Sequence, residues 1–351
     1  MKREHQLYTV EQLPIFQNRM YDTEAEAKAC PKGDVHLVEN LETGLIYNAS
    51  FRPELMVYDS RYQNEQAVSP LFRQHLDSVV KIIKRTMGYD LLVEVGCGKG
   101  SFLEILLWAG FNVTGFDPTY EGTNPRVAKE YFGPGVGINA NGLILRHVLE
   151  HIQNPINFLQ HLRKNNGGSG LIYIEVPSFD WICTHRAWFD VFYEHVNYFR
   201  LSDFHRIFDK IIESGSLFGD QYIYVVADLA SLTEPKSNQH QHVDFPKDFH
   251  SSIETRNHIV GRTAVWGGAS KGVIFTLLKS RIGQSIDMVI DINPSKQGKY
   301  LPATGLKVFS PENGLSRLPE GSTIYVMNSN YLTEIKKMSN NAYKYMSVGH
   351  E

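Results

Sequence analysis

Three glycines at alternate positions stand between an apolar run, 91–95, and an amphipathic run, 101–108. This order predicts a buried strand, a tight turn and the start of a helix. Glycine has no Cβ, so the backbone can pass close to a ligand, and free amides at a helix start favour an anionic or polar group. The spacing therefore predicts a cradle for a nucleotide-like ligand. Its candidate residues are Glu94, Gly96, Cys97, Gly98 and Gly100.

A second predicted strand, 111–117, ends in Asp117, 21 residues after Gly96. A carboxylate at the tip of the second strand of such a unit can accept hydrogen bonds from both hydroxyls of a ribose. The alternative is structural, because an aspartate before Pro118 can cap a helix or close an Asx turn. The order of strand, glycine turn, helix, strand and acid favours the ribose interpretation.

An adjacent acid and imidazole, Glu194-His195, lie in an unusually aromatic stretch, 181–199. The rings of this stretch can simply be core. A charged pair inside so apolar a segment is nevertheless costly unless it is hydrogen-bonded or functional. Both residues are therefore candidates for a functional site.

A third polar group, Arg146-His147 and then Glu150-His151, follows a short apolar run, 143–145. Taken literally, His147-x-x-Glu150-His151 is an inverted zinc-protease pattern. That interpretation needs one long helix and a third ligand, whereas a proline breaks the segment within a few residues. The sequence favours another role, in which Arg146 and His147 border a ligand pocket at the carboxyl end of the fourth strand.

The first residues of the chain are aromatic and interrupted by prolines. Two alternating runs, 33–39 and 44–47, predict a β-hairpin there. So small a segment cannot bury a convincing core of its own, and we expect it to pack on the neighbouring domain as a cap. Tyr58 and Tyr62 either pack the surface of this cap or place their rings over a ligand, as lids do.

Composition and spacing divide the chain into four segments. They are an N-terminal cap, 1–74, a doubly wound α/β domain, 75–230, a polar linker, 231–248, and a second α/β unit, 249–351. The second unit repeats the order strand, glycine turn, helix, strand and acid, which predicts half of another doubly wound sheet. Its loop with Lys296 and Lys299 can meet a phosphate or form a plain solvated turn.

Length and composition bound the function. At 351 residues, 42% hydrophobic and 21% charged, the chain is long enough for two or three globular domains. A net charge of −3 gives no electrostatic footprint for nucleic acid, and no apolar run is long enough to span a bilayer. The polar N-terminus is unlike a signal peptide, and the three scattered cysteines form neither a disulfide framework nor a metal clip. These features predict a cytoplasmic protein without a nucleic acid or membrane partner.

Two ligands suit the glycine cradle: a nicotinamide dinucleotide and S-adenosylmethionine. A dinucleotide turn usually reads Gly-x-Gly-x-x-Gly, with its third glycine set by helix packing. Here the spacing is Gly-x-Gly-x-Gly, and Glu94 stands two residues before the first glycine. This arrangement resembles the class I S-adenosylmethionine-dependent methyltransferases. The resemblance implies a seven-stranded Rossmann-like domain whose glycine turn holds the methionine end of the cofactor and whose Asp117 holds the ribose.

Six further motifs resemble the sugar C-methyltransferase family, whose members act on nucleotide-linked 4-keto-deoxysugars. They are RHVLEHIQNP, IYIEVPSFDW and FYEHVNYF in the first α/β domain, and AVWGGASKGVIF, DINPSKQGKYLPATG and VMNSNYLTEI in the second. The resemblance covers nearly the whole chain. It implies a nucleotide sugar as the methyl acceptor and a Rossmann-like C-terminal domain that helps to hold it.

The same resemblance implies roles for the acid–imidazole pair: His195 is the general base, and Glu194 orients it or stabilises its charge. A carbon next to a ketone is acidified by enolate formation, and a neutral imidazole is a suitable base near pH 7. The enolate carbon then attacks the sulfonium methyl group in line. The family has Tyr-x-Glu-His where this chain has Phe192-Tyr193-Glu194-His195, so Tyr193, the third candidate catalytic residue, stands in a different register.

A second departure from the family concerns metal. Its members carry an N-terminal zinc domain with paired Cys-x-x-Cys, whereas the matching place here, 40–44, reads NLETG. Neutral Asn and Thr cannot replace thiolates on zinc, so we expect no structural zinc and no metal cofactor. Three alternatives stay open: O- or N-methylation of another small molecule, a non-catalytic nucleotide- or sugar-binding relative, and a nicotinamide-dependent dehydrogenase.

Overall fold

The chain is built on three β-sheets. The computed structural model describes residues 3–57, 61–62, 69–237, 242–254 and 261–348, so Tyr58 lies outside the described residues. The sheets are a four-stranded N-terminal sheet, a seven-stranded mixed sheet and a five-stranded C-terminal sheet. They confirm the predicted fold of a seven-stranded Rossmann-like domain with a small N-terminal part and a second Rossmann-like unit. None of the helices in these ranges is long and apolar enough to cross a membrane.

The elements are numbered in chain order. The strands are β1 (Glu4–Pro14), β2 (Lys32–Asn40), β3 (Ile46–Asn48), β4 (Leu92–Val95), β5 (Val113–Phe116), β6 (Val127–Ala128), β7 (Gly142–Arg146), β8 (Leu171–Pro177), β9 (Asn197–Tyr198), β10 (Ile211–Leu217), β11 (Tyr222–Asp228), β12 (Thr263–Trp266), β13 (Met288–Ile290), β14 (Val308–Phe309), β15 (Thr323–Val326) and β16 (Lys344–Ser347). The α-helices are α1 (Glu24–Lys28), α2 (Pro70–Met87), α3 (Ser101–Trp108), α4 (Pro155–Asn165), α5 (Phe179–Thr184), α6 (Leu201–Ile207), α7 (Ser251–Glu254), α8 (Ser270–Arg281), α9 (Pro311–Leu315) and α10 (Leu332–Met338).

The N-terminal sheet is antiparallel and has the order β1-β2-β3-β9. The predicted hairpin is confirmed as β2 and β3. Strand β1 is missing from the sequence-based prediction because two register shifts interrupt its pairing with β2, so its buried residues do not alternate regularly. Strand β9 comes from the aromatic stretch, whose rings share one core cluster with side chains of the N-terminal and C-terminal parts.

The turn between β2 and β3, residues 40–44, is held by hydrogen bonds. The Asn40 Oδ1 atom accepts from the amides of Glu42 at 2.8 Å and Thr43 at 3.1 Å, which closes an Asx turn. The Gly44 carbonyl accepts from the guanidinium groups of Arg200 at 2.8 Å and Arg206 at 3.2 Å. These contacts fix the turn and tie it to α6.

The seven-stranded sheet has the order β10-β11-β8-β7-β4-β5-β6. Its strands are parallel except β11, which runs antiparallel to both β8 and β10. Strand β4 lies between β5 and β7, so the polar residues that end these strands meet at one edge of the sheet. Helix α2 starts at Ser69, whose hydroxyl accepts from the amides of Leu71 and Phe72, and it ends at Gly88 as predicted.

The C-terminal sheet is parallel and has the order β14-β13-β12-β15-β16. Its glycine turn follows β12 and leads into α8. Gly272, in the first turn of α8, has no room for a side chain, because a Cβ there would lie 1.9 Å from the Gly267 carbonyl oxygen. Phe275 of α8 stacks on Trp188 with ring centroids 5.5 Å apart. This contact packs the C-terminal unit against the aromatic stretch.

Candidate active site

The glycine turn after β4 is folded as the spacing predicts. Gly96, Gly98 and Gly100 all have positive φ angles, of 73°, 55° and 79°. A Cβ on Gly96 would also lie 2.6 Å from the Val148 side chain, so both conformation and space demand glycine there. Gly100 is the residue before α3. The turn therefore places bare backbone beside the tips of β4 and β5.

Asp117 lies directly after β5 and faces this turn. Its Oδ2 atom accepts from the Gly98 amide at 2.8 Å, and its Oδ1 atom accepts from the Thr119 amide at 2.8 Å and hydroxyl at 2.7 Å. The Asx turn is therefore present. It does not exclude ribose binding, because a carboxylate has about four lone-pair sites and the described residues supply three donors to it.

Glu94 and Cys97 line the buried side of the turn. Glu94 is 3% exposed, and its Oε2 atom has no hydrogen-bond partner among the described residues. Burial raises the pKa of Glu94 to about 8, against the opposing effect of the Arg146 charge. Burial also raises the pKa of the Cys97 thiol, so this cysteine is an inert packing group rather than a nucleophile.

Arg146 and His147 belong to a buried charge network around Glu175. The Glu175 Oε1 atom lies 3.2 Å from Arg146 Nη2, 3.0 Å from His75 Nε2 and 3.1 Å from His147 Nε2. The pKa of Glu175 is well below its usual value, since the Arg146 charge and the two imidazoles outweigh the effect of burial. Burial alone would lower the pKa of His147, but the contacts with Glu150 and Glu175 raise it to about 9. The raised pKa favours the protonated form of this half-buried imidazole, whose backbone has a strained φ of 52°.

A cavity of about 230 Å³ opens between the seven-stranded domain and the C-terminal unit. Its wall includes two of the three predicted catalytic residues, Glu194 and His195, and part of the second glycine turn. Its polar lining includes Tyr62, His147, Glu150, His151, Glu194, His195, Lys271 and Lys296. The glycine turn of β4 and Asp117 do not belong to this wall. The wall of this cavity thus contains the predicted base but not the residues of the predicted cofactor cradle.

His195 lines this cavity. It is 8% exposed and contacts two rings, Phe192, tilted with centroids 4.0 Å apart, and His151, edge-on at 5.0 Å. In the part of the chain that the structure describes, neither of its ring nitrogens has a hydrogen-bond partner. Burial lowers the pKa of His195 well below its usual value, and the charges of His147 and Lys271 lower it further. The ring is therefore neutral and has a free lone pair.

Glu194 does not hydrogen-bond to the His195 ring. Its Oε2 atom accepts from the Gln17 amide at 3.0 Å, its Oε1 atom is buried without a described partner, and Tyr62 also bonds to the carboxyl. Burial raises the pKa of Glu194 to about 7. The imidazole that Glu194 does orient is His151, whose Nδ1 lies 2.8 Å from the Glu194 carbonyl oxygen.

Tyr193 points away from the cavity. Its hydroxyl accepts from the Arg52 amide at 2.9 Å, and its ring packs on Phe51 with centroids 5.5 Å apart. The ring also lies so close to Gly33 that a Cβ there would come within 2.4 Å of it. In its place Phe192 lines the cavity. A catalytic role for Tyr193 stays a prediction without a contact to support it.

Glu150 and His151 lie in a short 3-10 turn, Leu149–His151, and not on one helix with His147. The Glu150 Oε1 atom lies 3.2 Å from His147 Nδ1. Glu150, His151 and His195 together bring three possible metal-ligand atoms within 4.8 Å of one another. The linear zinc-protease pattern is thus not formed, and a different trio takes shape through the fold. The expectation that the chain takes no metal stays a prediction.

The two lysines of the C-terminal loop have different surroundings. Lys299 pairs with Asp22 and is half exposed. Lys296 is buried in the cavity wall, where its ammonium lies 3.3 Å from Asn18 Oδ1 and 3.3 Å from the Gly268 carbonyl. Burial lowers the pKa of Lys296.

Lys271 is a site residue that the sequence pattern did not predict, although it stands in the second glycine turn. Its ammonium lies 2.9 Å from an Asp190 carboxylate oxygen, donates to Gln221 Oε1 at 2.9 Å, and sits 4.8 Å above the Trp181 ring. It thus links the C-terminal unit to the aromatic stretch and to the seven-stranded sheet. The sequence feature that could have identified Lys271 is its position in the first turn of a helix that follows a glycine turn.

Two family models match the chain. A model described as a methyltransferase domain matches residues 72–211, and one described as a C-methyltransferase C-terminal domain matches residues 233–347. The C-methyltransferase NovU of Streptomyces niveus is 24% identical over 327 residues, which are 81% of this chain and 77% of that protein.

Solved methyltransferase structures show weaker likeness. The 1,6-didemethyltoxoflavin-N1-methyltransferase of Burkholderia thailandensis has a TM-score of 0.35 and 12% identity, covering 55% of this chain and 96% of that one. The N-methyltransferase NodS of Bradyrhizobium japonicum has a TM-score of 0.35 and 13% identity, covering 46% and 97%. Likeness at these scores carries no information about the substrate. On the two family models and the likeness to NovU, the chain is an S-adenosylmethionine-dependent methyltransferase with a C-methyltransferase C-terminal domain, and a distant homologue of the C-methyltransferase NovU.

Proposed function

We propose that this methyltransferase transfers a methyl group to a carbon next to the ketone of a nucleotide-linked sugar. The observation that carries the proposal is the position of His195, whose unbonded imidazole faces the cavity beside the C-terminal unit. The likeness to a C-methyltransferase supports carbon as the acceptor atom. The nucleotide-linked keto-sugar follows from the sequence motifs that resemble the sugar C-methyltransferases.

The cradle after β4 fits S-adenosylmethionine. A substituent on Gly98 would meet nothing within 4 Å, so open space adjoins the turn, and the Glu94 Oε2 atom finds no donor in the part of the chain that the structure describes. We expect Asp117 to hold the ribose hydroxyls and Glu94, with the amides of the turn, to hold the amine of the methionine end. When bound, this cofactor supplies an electrophilic methyl group. Attack by a carbon nucleophile breaks the bond between this methyl group and the sulfonium sulfur, and the sulfur keeps the electron pair and becomes a neutral thioether.

The acceptor carbon becomes that nucleophile by losing a proton to His195. The C–H bond breaks, the proton goes to an imidazole nitrogen, and the electron pair is shared with the keto oxygen. Lys271 lines the same cavity beside its partner Asp190, and we expect its ammonium to be the hydrogen-bond donor that stabilises the enolate oxygen. The Phe192 ring, whose centroid lies 4.0 Å from that of His195, limits the directions in which the imidazole can turn.

His195→Asn is the direct test of this proposal. Loss of a general base should lower kcat by about 10²- to 10⁴-fold. Binding of S-adenosylhomocysteine, measured by calorimetry, should stay unchanged because His195 is not one of the residues that form the cradle. The matched control is His161→Asn, on an exposed face of α4, which should keep full activity. Full activity in His195→Asn would remove this residue as the base.

The acceptor atom needs a second measurement. Methyl-¹³C-labelled cofactor and a nucleotide-linked 4-keto-deoxysugar should give a product whose labelled methyl carbon is coupled to a sugar carbon. A methyl signal typical of O–CH₃ or N–CH₃ would overturn carbon transfer and favour O- or N-methylation instead.

A further inference from the structure

We propose that Glu150, His151 and His195 form a binding site for a divalent transition-metal ion, zinc above all, in the wall of the acceptor cavity. These side chains come from two segments that are 44 positions apart in the chain, at 150–151 and 195. Their ligand atoms nevertheless lie within 4.8 Å of one another. The site differs in place and in ligand type from the N-terminal cysteine site that the sequence lacks.

Backbone hydrogen bonds hold the two segments together. The Val196 amide donates to the Glu150 carbonyl oxygen at 2.8 Å. The Asn197 side-chain amide donates to the Ile152 carbonyl oxygen at 2.6 Å. Because these bonds join the two segments immediately beside the trio, the fold itself brings the three residues together.

A hydrogen bond on one ring nitrogen of His151 leaves the other nitrogen ready to bind a metal ion. Its Nδ1 lies 2.8 Å from the Glu194 carbonyl oxygen, which can only accept, so Nδ1 carries the hydrogen and Nε2 keeps its lone pair. A histidine that binds metal through one nitrogen usually donates the other N–H to a carbonyl or carboxylate in this way. Glu194 thus supplies the supporting carbonyl.

Glu150 contributes the anionic ligand. The residue is 1% exposed, and while its Oε1 atom contacts His147, its Oε2 atom is buried without a partner in the described residues. Leaving a buried carboxylate oxygen unbonded is costly. A cation beside Oε2 would remove that cost.

The donor set and its dimensions suit zinc. Two imidazoles and one carboxylate with a fourth position open is the composition of many zinc sites with one exchangeable ligand. Atoms bound at about 2.0–2.2 Å from one tetrahedral ion lie roughly 3.3–3.6 Å apart, so side-chain shifts that shorten the present separations by up to about 1.5 Å complete the site. The open position would face the cavity.

Such an ion would act as an inhibitor, a consequence that rests on the proposed function. Metal coordination takes the His195 lone pair that proton abstraction needs. The ion and the reaction therefore exclude each other, and removing the ion with a chelator restores turnover.

The test is a titration of the chelator-washed full chain with Co²⁺ and Zn²⁺. Co²⁺ should bind with a stoichiometry near one and give the visible absorption bands of a four-coordinate site, which Zn²⁺ should displace. His151→Asn keeps a donor for the Glu194 carbonyl but lacks the Nε2 ligand, and it should weaken binding by at least about 100-fold, above the usual effect of losing a supporting partner. Glu150→Gln should weaken it as well, whereas His161→Asn should not.

The outcomes of this titration distinguish failure of the metal site from failure of the proposed function. Absence of saturable Co²⁺ binding, or binding that survives both His151→Asn and Glu150→Gln in variants that keep the wild-type circular dichroism and melting curve, would overturn the metal site. Because the titration needs no turnover, it can succeed when no methyl transfer to a keto-sugar is detected, and that combination would overturn the proposed function alone.

Discussion

Asp117 and Asp291 occupy the same position in two successive units of the chain. Asp117 follows β5 and accepts from the Gly98 amide at 2.8 Å, and Asp291 follows β13 and accepts from the Gly268 amide at 2.7 Å. Each carboxylate also accepts an amide two residues further on, at 2.8 Å in both cases. The surroundings differ, since Lys296 bonds to the Gly268 carbonyl next to Asp291. The two cradles share a backbone plan, and we expect them to serve different ligands.

Asp117→Asn and Asp291→Asn separate the two cradles. An amide oxygen can still accept from the glycine amide, but the NH₂ group faces the second amide that each carboxylate binds, so both variants should fold with a similar loss of stability. Asp117→Asn loses a charged acceptor for the ribose, and we expect S-adenosylhomocysteine to bind about 10- to 100-fold more weakly in calorimetry. Asp291→Asn should leave that affinity unchanged. Equal loss in both variants would contradict the assignment of the cofactor to the first cradle.

Glu94→Gln should raise the stability of the chain and lower its affinity for S-adenosylhomocysteine. The pKa of Glu94 is about 8 in the folded chain against an ordinary value of 4.5. Between these values the folded state binds more protons than the unfolded state, so Glu94 makes stability fall as pH rises from 4.5 towards 8. A glutamine cannot ionise and removes this penalty.

Thermal unfolding of the cofactor-free chain checks the sign. Relative to wild type, Glu94→Gln should gain at least about 1 kcal/mol between about pH 5 and pH 9, or roughly 2–4 °C in melting temperature for a domain of this size. Its affinity for S-adenosylhomocysteine should fall about 10- to 100-fold, because a charged partner for the amine is lost. Glu104→Gln, on the exposed face of α3, is the control and should change neither. A pH-independent difference would show that Glu94 is ionised in the fold.

The elements that sequence predicts well are those whose signal is local. Glu94 and Asp117 stand at strand tips because a buried run followed by glycine, or by an acid, defines the end of a strand within a few residues. The trio of Glu150, His151 and His195 has no local signal. It exists because Asn197 pairs in the N-terminal sheet and brings the aromatic stretch against the Leu149–His151 turn, and only the assembled fold supplies that contact.

Local backbone geometry explains the position of Tyr193 in the same physical terms. The two residues Phe192 and Tyr193 enter a turn closed by the His195 amide and the Phe192 carbonyl oxygen, where neighbouring side chains point in different directions: the cavity receives Phe192, while Tyr193 packs on Gly33 and Phe51. A match of residue types cannot detect this difference, because both positions are aromatic.

Tyr193→Phe therefore should affect stability more than catalysis. The variant loses the acceptor for the Arg52 amide, which should cost about 0.5–1.5 kcal/mol of unfolding free energy in chemical denaturation. We expect kcat to stay within about threefold of wild type, because the hydroxyl does not line the cavity. Phe192→Ala, which removes the ring packed against His195, is the comparison and should lower kcat more than Tyr193→Phe does. A kcat loss of about 100-fold or more in Tyr193→Phe would restore this residue to the catalytic group.

The turn at 40–44 should hold the N-terminal sheet without metal. Asn40 Oδ1 accepts two amides and Gly44 accepts two guanidinium groups, so the turn already has four side-chain bonds that fix its shape. Chelator treatment should leave the N-terminal sheet folded, whether or not it also removes an ion from the cavity. Asn40→Ala should lower stability by about 1–2 kcal/mol in chemical denaturation, since two amides lose their acceptor. Asn40→Asp keeps the acceptor oxygen and should restore most of that loss. Unfolding of the N-terminal sheet on chelation, followed by near-ultraviolet circular dichroism, would show instead that a metal holds this part of the chain.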